Sequence, residues 1–199
     1  MYEAKDMKGL TRTATGLLWG YMALNVVADT GSFYTDVVSG RTPGILHLTD
    51  YVALADLLLF LVTGIVVLRW IYRASVNAHA AAPGLTITPG WAVGWYFVPI
   101  ANLWKPFQAM KEIWLGSHFG ANREGGYTSD LLSWWWGLYI LDYIIANVSF
   151  RLALDAPQLG AALDLADGII TIPLSLILIR IMWQVREAQD VTRHAEIFA

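Results

Sequence analysis

The sequence predicts an all-α, polytopic membrane protein: four transmembrane helices plus a cytoplasmic-side re-entrant or interfacial helical segment. Two observations carry that prediction first. The 199 residues are 56 % hydrophobic and only 15 % charged, against about 25 % charged in an ordinary soluble domain. The apolar residues also gather in blocks close to the ~20 residues that ~30 Å of hydrocarbon requires. A third observation is the placement of the basic residues, taken up below. Ten Trp and nine Tyr accompany these blocks, and cysteine is absent, so disulfides, thiolate metal sites and a Cys nucleophile are excluded. A net charge of −3 gives no electrostatic footprint for nucleic acid.

A single membrane domain is expected over 1–199. Its first span covers about 11–29. Lys5, Lys8 and Arg12 precede an apolar run ending Val26-Val27-Ala28, a pattern that also suits a signal peptide, but the segment reads as a retained helix. The second span, about 48–74, has "LLLFLVTGIVVL" at its centre. The third, 131–150, reads "LLSWWWGLYILDYIIANVSF", and the fourth, 159–183, contains "GIITIPLSLILI" with Pro173 predicted to kink it. Stretches 30–47, 75–88 and 117–130 hold the Gly, Pro, Asn and Thr expected of loops, and 184–199 is a cytoplasmic tail.

Residues 89–116 are apolar enough to enter the bilayer, and the basic residues decide whether they cross. If they cross, with the N-terminus inside, Lys and Arg divide six inside and seven outside. If they return, the division is eleven inside and two outside, Arg41 and Arg151. The second arrangement obeys the positive-inside rule. Local chemistry agrees, since Pro99 and Pro106 break a continuous helix. "GWAVGWYFV" reaches only halfway across, and Phe107, Met110 and Trp114 share one face of an amphipathic stretch suited to an interface. A re-entrant or interfacial elbow follows, turning at Pro99–Pro106 and leaving Asn102 and Lys105 below the surface. A Cys introduced at Asn122 would then be shielded from an impermeant outside reagent.

The stretch "TPGWAVGWYFVPIANLWKPFQAMKEIW" also resembles a family of bacterial membrane proteins known as DUF4328, a domain of unknown function. The resemblance rests on Pro89, Gly90 and Trp91, on Val98-Pro99-Ile100-Ala101-Asn102, on Pro106, Met110, Glu112-Ile113-Trp114, and on Trp134-Trp135-Trp136. It covers most of 45–190, implies the same membrane architecture, and carries no activity.

Polar residues inside spans are the functional lead, because each is costly unless protonated, paired or hydrated. Asp142 lies mid-helix and Asp56 two turns into the second span. Asp164, Asp167, Thr171 and Ser175 share a face of the last span, and Tyr21, Asn25 and Asp29 form a row on the first. The outer half would hold Asp29, Asp36, Asp50, Asp56, Asp155, Asp164 and Asp167 against two arginines. One reading is an acidic vestibule for a cation or amine. The other is interhelical hydrogen-bond glue, with Asp50 and Asp155 as residues at the membrane boundary. Lys105 either pairs with Asp142 or snorkels to the cytoplasmic headgroups. Trp91, Trp95, Trp114, Trp134, Trp135, Trp136 and Trp183 read as interface anchors rather than a pigment or quinone pocket. Gly16 and Gly20 carry a Gly-x-x-x-Gly spacing.

His47, His79, His118 and His194 have no metal-site spacing, and Gly116-Ser117-His118 is no nucleophile elbow. No cofactor motif and no catalytic set is present, so the chain is not expected to be an enzyme. The expected role is a non-catalytic subunit, scaffold or regulator of a membrane complex. A small channel or transporter for a cation or amine stays open, and a membrane enzyme is the remaining alternative. The expected location is the inner (cytoplasmic) membrane, with both termini cytoplasmic. The partners are the lipid bilayer and other membrane subunits or a second copy.

Overall fold

The computed structural model describes residues 2–40, 47–120, 126–152 and 155–197, with side chains as far as Val191. Expectations resting on Arg41, Asn122 and Arg123, and on the side chains of Arg193 and His194, lie outside the described residues. All regular structure among the described residues is helical. The long helices are α1 (Lys8–Phe33, continued by a π-helical turn at Tyr34–Ser39), α2 (Leu48–Ala81), α5 (Asp130–Leu152) and α6 (Pro157–Ile197). Between α2 and α5 lie α3 (Pro89–Gly94), two 3₁₀ turns (Trp95–Phe97 and Ala101–Leu103) and α4 (Lys105–Phe119).

Two helices, not the expected four, are long and apolar enough to cross a membrane on composition alone: Leu48–Ala81 and Pro157–Val191. The apolar run of α5 is broken by Asp142 and Asn147 and diluted by three indoles, and α1 carries Asn25, Asp29 and several Thr and Gly. Other boundaries also differ. Residues 75–81, expected in a loop, continue α2, and 184–197, expected as a tail, continue α6. Polar residues there suggested loop, but Ser75, Asn77 and Gln189 are buried, and Asn77 and Gln189 are partnered, which removes the cost of keeping those two in a helix. Helix α6 runs through Pro173 without interruption. Asp50 accepts a hydrogen bond from the His47 backbone N–H (2.8 Å) and so caps the start of α2.

The chain divides into two compact units. The first comprises Met1–Thr15, Ile65–Trp136 and Leu178–Ala199, and the second Gly16–Gly64 and Gly137–Ile177. The first unit has a dense apolar core in which Met7, Trp70, Ile71, Met110, Ile113, Leu132, Ile181, Met182 and Val185 are at most 2 % exposed. The Trp70 indole N–H donates to Thr11 Oγ1 at 3.0 Å, so the largest core ring leaves no polar atom unsatisfied. A polar hub sits within this core. Gln189 donates to the Ala74 carbonyl (2.9 Å) and Ser117 Oγ (2.7 Å), and accepts from Asn77 (3.0 Å). Asn77 in turn exchanges two hydrogen bonds with the backbone of Lys5 (2.8 and 3.0 Å).

Segment 89–116 folds back on itself within this first unit. Pro89 opens α3 and Pro106 opens α4, where a missing N–H costs nothing. The reversal falls at Val98–Trp104, and α3 packs on α4. Asn102 N–H donates to the Val98 carbonyl (3.0 Å) and Leu103 N–H to the Ile100 carbonyl (3.0 Å). Ile100 sits at φ 66°, a left-handed conformation that strains a β-branched residue. Trp91 and Trp95 stack (centroids 4.4 Å), and Gly94 leaves room for the Trp91 ring, 3.1 Å from where a Cβ would lie. The Trp136 indole donates to the Leu103 carbonyl (3.1 Å) and stacks on Phe107, fastening the elbow to α5. The loop at 86–87 is held by Glu112, which accepts from both backbone N–H groups (3.0 Å each) and from the Thr86 hydroxyl.

The apolar face of α4 is covered by protein, contrary to the interfacial expectation. Met110, Ile113 and Trp114 are buried, and Gly116 admits Ala78 and Leu85. Of the seven expected anchors, Trp91 and Trp134 are exposed and Trp95 and Trp183 half-buried, whereas Trp114, Trp135 and Trp136 belong to the core.

Candidate functional site

The second unit is built the other way round. Among the described residues its buried apolar side chains are four, Leu18, Met22, Ala28 and Ala161, outnumbered by six buried polar ones, Asn25, Thr35, Thr63, Ser149, Thr171 and Ser175. Large apolar side chains point outward instead, among them Leu54, Leu57, Leu58, Phe60, Leu61, Ile144, Val148, Ile169 and Ile172.

Four helices contribute to its interior. The i, i+4, i+8 row on α1 brings Tyr21, Asn25 and Asp29 to one face. Helix α2 adds Asp56, α5 adds Asp142 and Ser149, and α6 adds Asp164, Asp167 and Thr171. Thr171 Oγ1 donates to Asp142 Oδ1 at 3.1 Å, and the Ser149 hydroxyl donates to Asp164. The Asn25 side chain lies close to the Asp56 carboxyl. Gly168 lets α6 approach α1, because a Cβ there would fall on the Asp29 carboxylate and 3.2 Å from Asn25 Oδ1. Tyr21 lies against Phe60, ring centroids 5.8 Å apart.

The carboxyl groups act on one another. Asp29 feels Asp56 and Asp164; Asp167 feels Asp142, Asp29 and Asp164; Tyr21 feels Asp56, Asp142, Asp167 and Asp29. No Lys or Arg among the described residues enters these interactions. Three oxygens in this interior, Asn25 Oδ1, Asp56 Oδ1 and Asp167 Oδ1, are buried and receive no hydrogen bond. The arrangement is rich in acceptors and poor in donors. Among the described residues no three His, Asp or Glu are grouped tightly enough to hold a metal ion.

Six of the expected site residues are thus brought together: Asn25, Asp29, Asp56, Asp142, Asp164 and Asp167. Asn102 and Lys105 belong to the first unit. There the Lys105 ammonium donates to Gln108 (3.1 Å) and lies over the Trp95 ring (5.7 Å), while Asp142 is engaged by Thr171. Each member of the expected Lys105–Asp142 pair therefore has a partner in its own unit. Sequence reasoning missed Ser149 and Gly168. A serine and a helical glycine gain meaning only from the helix opposite, although Gly168 directly beside Asp167 was a signal available to be read.

An all-helical chain with an acidic, polar interior and a folded-back aromatic elbow defines the class, and the family follows. Residues 46–190 match the domain of unknown function DUF4328, and the chain belongs to that family. The match takes in the elbow, α2, α5 and nearly all of α6 as described, and begins after Tyr21, Asn25 and Asp29. No curated protein and no solved structure matches the chain.

Proposed function

We propose that the chain is a multi-pass protein of the inner (cytoplasmic) membrane, crossed by α1, α2, α5 and α6, with both termini and the elbow on the cytoplasmic side. The single observation that carries this is the inverted second unit, with polar side chains inside and leucine, isoleucine and phenylalanine outside. Water would penalise that outer surface, while hydrocarbon favours it and demands that polar groups turn inward. Charge supports the orientation. The segments of the first unit hold eleven of the thirteen Lys and Arg, and those of the second hold two. The test is single-cysteine labelling in intact cells with a membrane-impermeant thiol reagent. Ser39→Cys should react at once and Glu187→Cys only after permeabilisation, and the reverse order sinks the topology.

Within that membrane we read the chain as a non-catalytic subunit, scaffold or regulator of a larger assembly, and assign it no reaction. The densely closed first unit supports this. Purification in nanodiscs with mass spectrometry of what stays bound tests it, since a stoichiometric partner is required. A second reading, a small channel or carrier for a cation or amine, is favoured by one observation: the acidic cluster of the second unit draws no basic residue among those described.

A further inference from the structure

Among the described residues the second unit holds four buried oxygens without a hydrogen-bond partner: Asn25 Oδ1 from α1, Asp56 Oδ1 and the Thr63 hydroxyl from α2, and Asp167 Oδ1 from α6; the hydroxyl carries its own donor, the other three do not. Asn25 is the decisive one. It is 7 % exposed, so more than nine-tenths buried, and an uncharged amide cannot relieve its bare carbonyl oxygen by taking up a proton. That oxygen points into the acidic interior, beside the Asp29 carboxylate and against the bare Cα of Gly168. Leaving such a group unsatisfied is costly, and native interiors rarely do so without a reason.

We propose that this interior binds a small protonated primary amine. The inference rests on the second reading above and names its ligand. A primary ammonium carries three N–H donors and no acceptor, the chemical complement of an interior whose Asn25, Asp56 and Asp167 oxygens lack a donor. Its charge suits a cluster of acids that draws no basic residue among those described, and charge-assisted hydrogen bonds are the strong kind. A bare metal ion fits less well, because no three acids are grouped to chelate one among the described residues. The Tyr21 ring, packed on Phe60, offers an aromatic wall for the alkyl part of the amine.

The test is calorimetric titration of the full chain in nanodiscs with methylammonium, tetramethylammonium, sodium and potassium. Methylammonium should bind, and tetramethylammonium, with the same charge and no N–H donor, should bind at least about tenfold more weakly, the worth of one charge-assisted hydrogen bond. Gly168→Ala, which pushes a methyl group onto the Asp29 carboxylate, should abolish binding while every charge is retained. Asp167→Asn, nearly isosteric, should weaken it if the alanine variant does not fold. Asp155→Asn, at an exposed position, should leave it unchanged. Equal binding of the two ammonium ions, or sodium or potassium in preference to both, overturns the amine while leaving a cation site standing. No binding of any of the four overturns both the amine and the cation reading.

Discussion

The two units solve the same problem with opposite materials. Among the described residues the first buries twenty apolar side chains and six polar ones, and the second four apolar and six polar. In the first unit polar residues are guests in an apolar core, and those of the Gln189 hub arrive partnered. In the second they are the core. The first is organised by apolar burial; under the membrane reading proposed above, the second is organised as helices in lipid are, by packing of small residues and by side-chain hydrogen bonds.

That contrast can be broken by experiment. The largest expected effect is in the first unit, where Trp70→Ala should cost about 3–5 kcal/mol of unfolding free energy in detergent, from lost burial and an unfilled cavity. Thr11 would also lose its donor. Next comes a charge on the outer face of the second unit. Leu61→Arg should lower membrane insertion by about 2.5–3.5 kcal/mol at a span centre, whereas Glu187→Arg, exposed in the first unit, should stay within about 0.5 kcal/mol. Equal tolerance of both, measured as the membrane-integrated fraction, would erase the distinction between the units. Gln189→Leu should destabilise the first unit by about 1–3 kcal/mol, because Asn77, Ser117 and the Ala74 carbonyl lose partners. The smallest effect is expected for Thr171→Val, about 0.6 kcal/mol, the usual worth of a hydrogen bond between membrane helices. A loss for Thr171→Val as large as that for Gln189→Leu would mean that the second unit is held together like the first.

How far these features could be read from sequence follows the same division. The helical class, the helix centres and the reversal at Pro99–Pro106 were legible, because proline geometry and apolar length act locally. Six acids and amides of the second unit were legible too: Asn25, Asp29, Asp164 and Asp167 by helical spacings that put them on shared faces, and Asp56 and Asp142 as acids set inside apolar runs. What escaped depended on a neighbour distant in sequence. Asn77 and Gln189 looked like loop residues until each proved to satisfy the other across 112 positions. Trp114 looked like an interface anchor because nothing local reveals that it is buried against other parts of the first unit. The α1 and α5 spans were expected on length, but their polar inward faces leave them short of apolarity as whole segments.

The Gln189 hub also sets an order of events during synthesis. Its partners Ala74, Asn77 and Ser117 leave the ribosome long before residue 189 does, and so do Met7 and Trp70. Until α6 emerges, their apolar surfaces lack Ile181, Met182 and Val185, and the amide of Asn77 lacks Gln189. Contacts of such long sequence separation form late and leave sticky intermediates exposed. A chain cut after Trp183 would keep every predicted span and still be unable to close its first unit, so quality-control proteases, rather than the insertion machinery, would decide its fate.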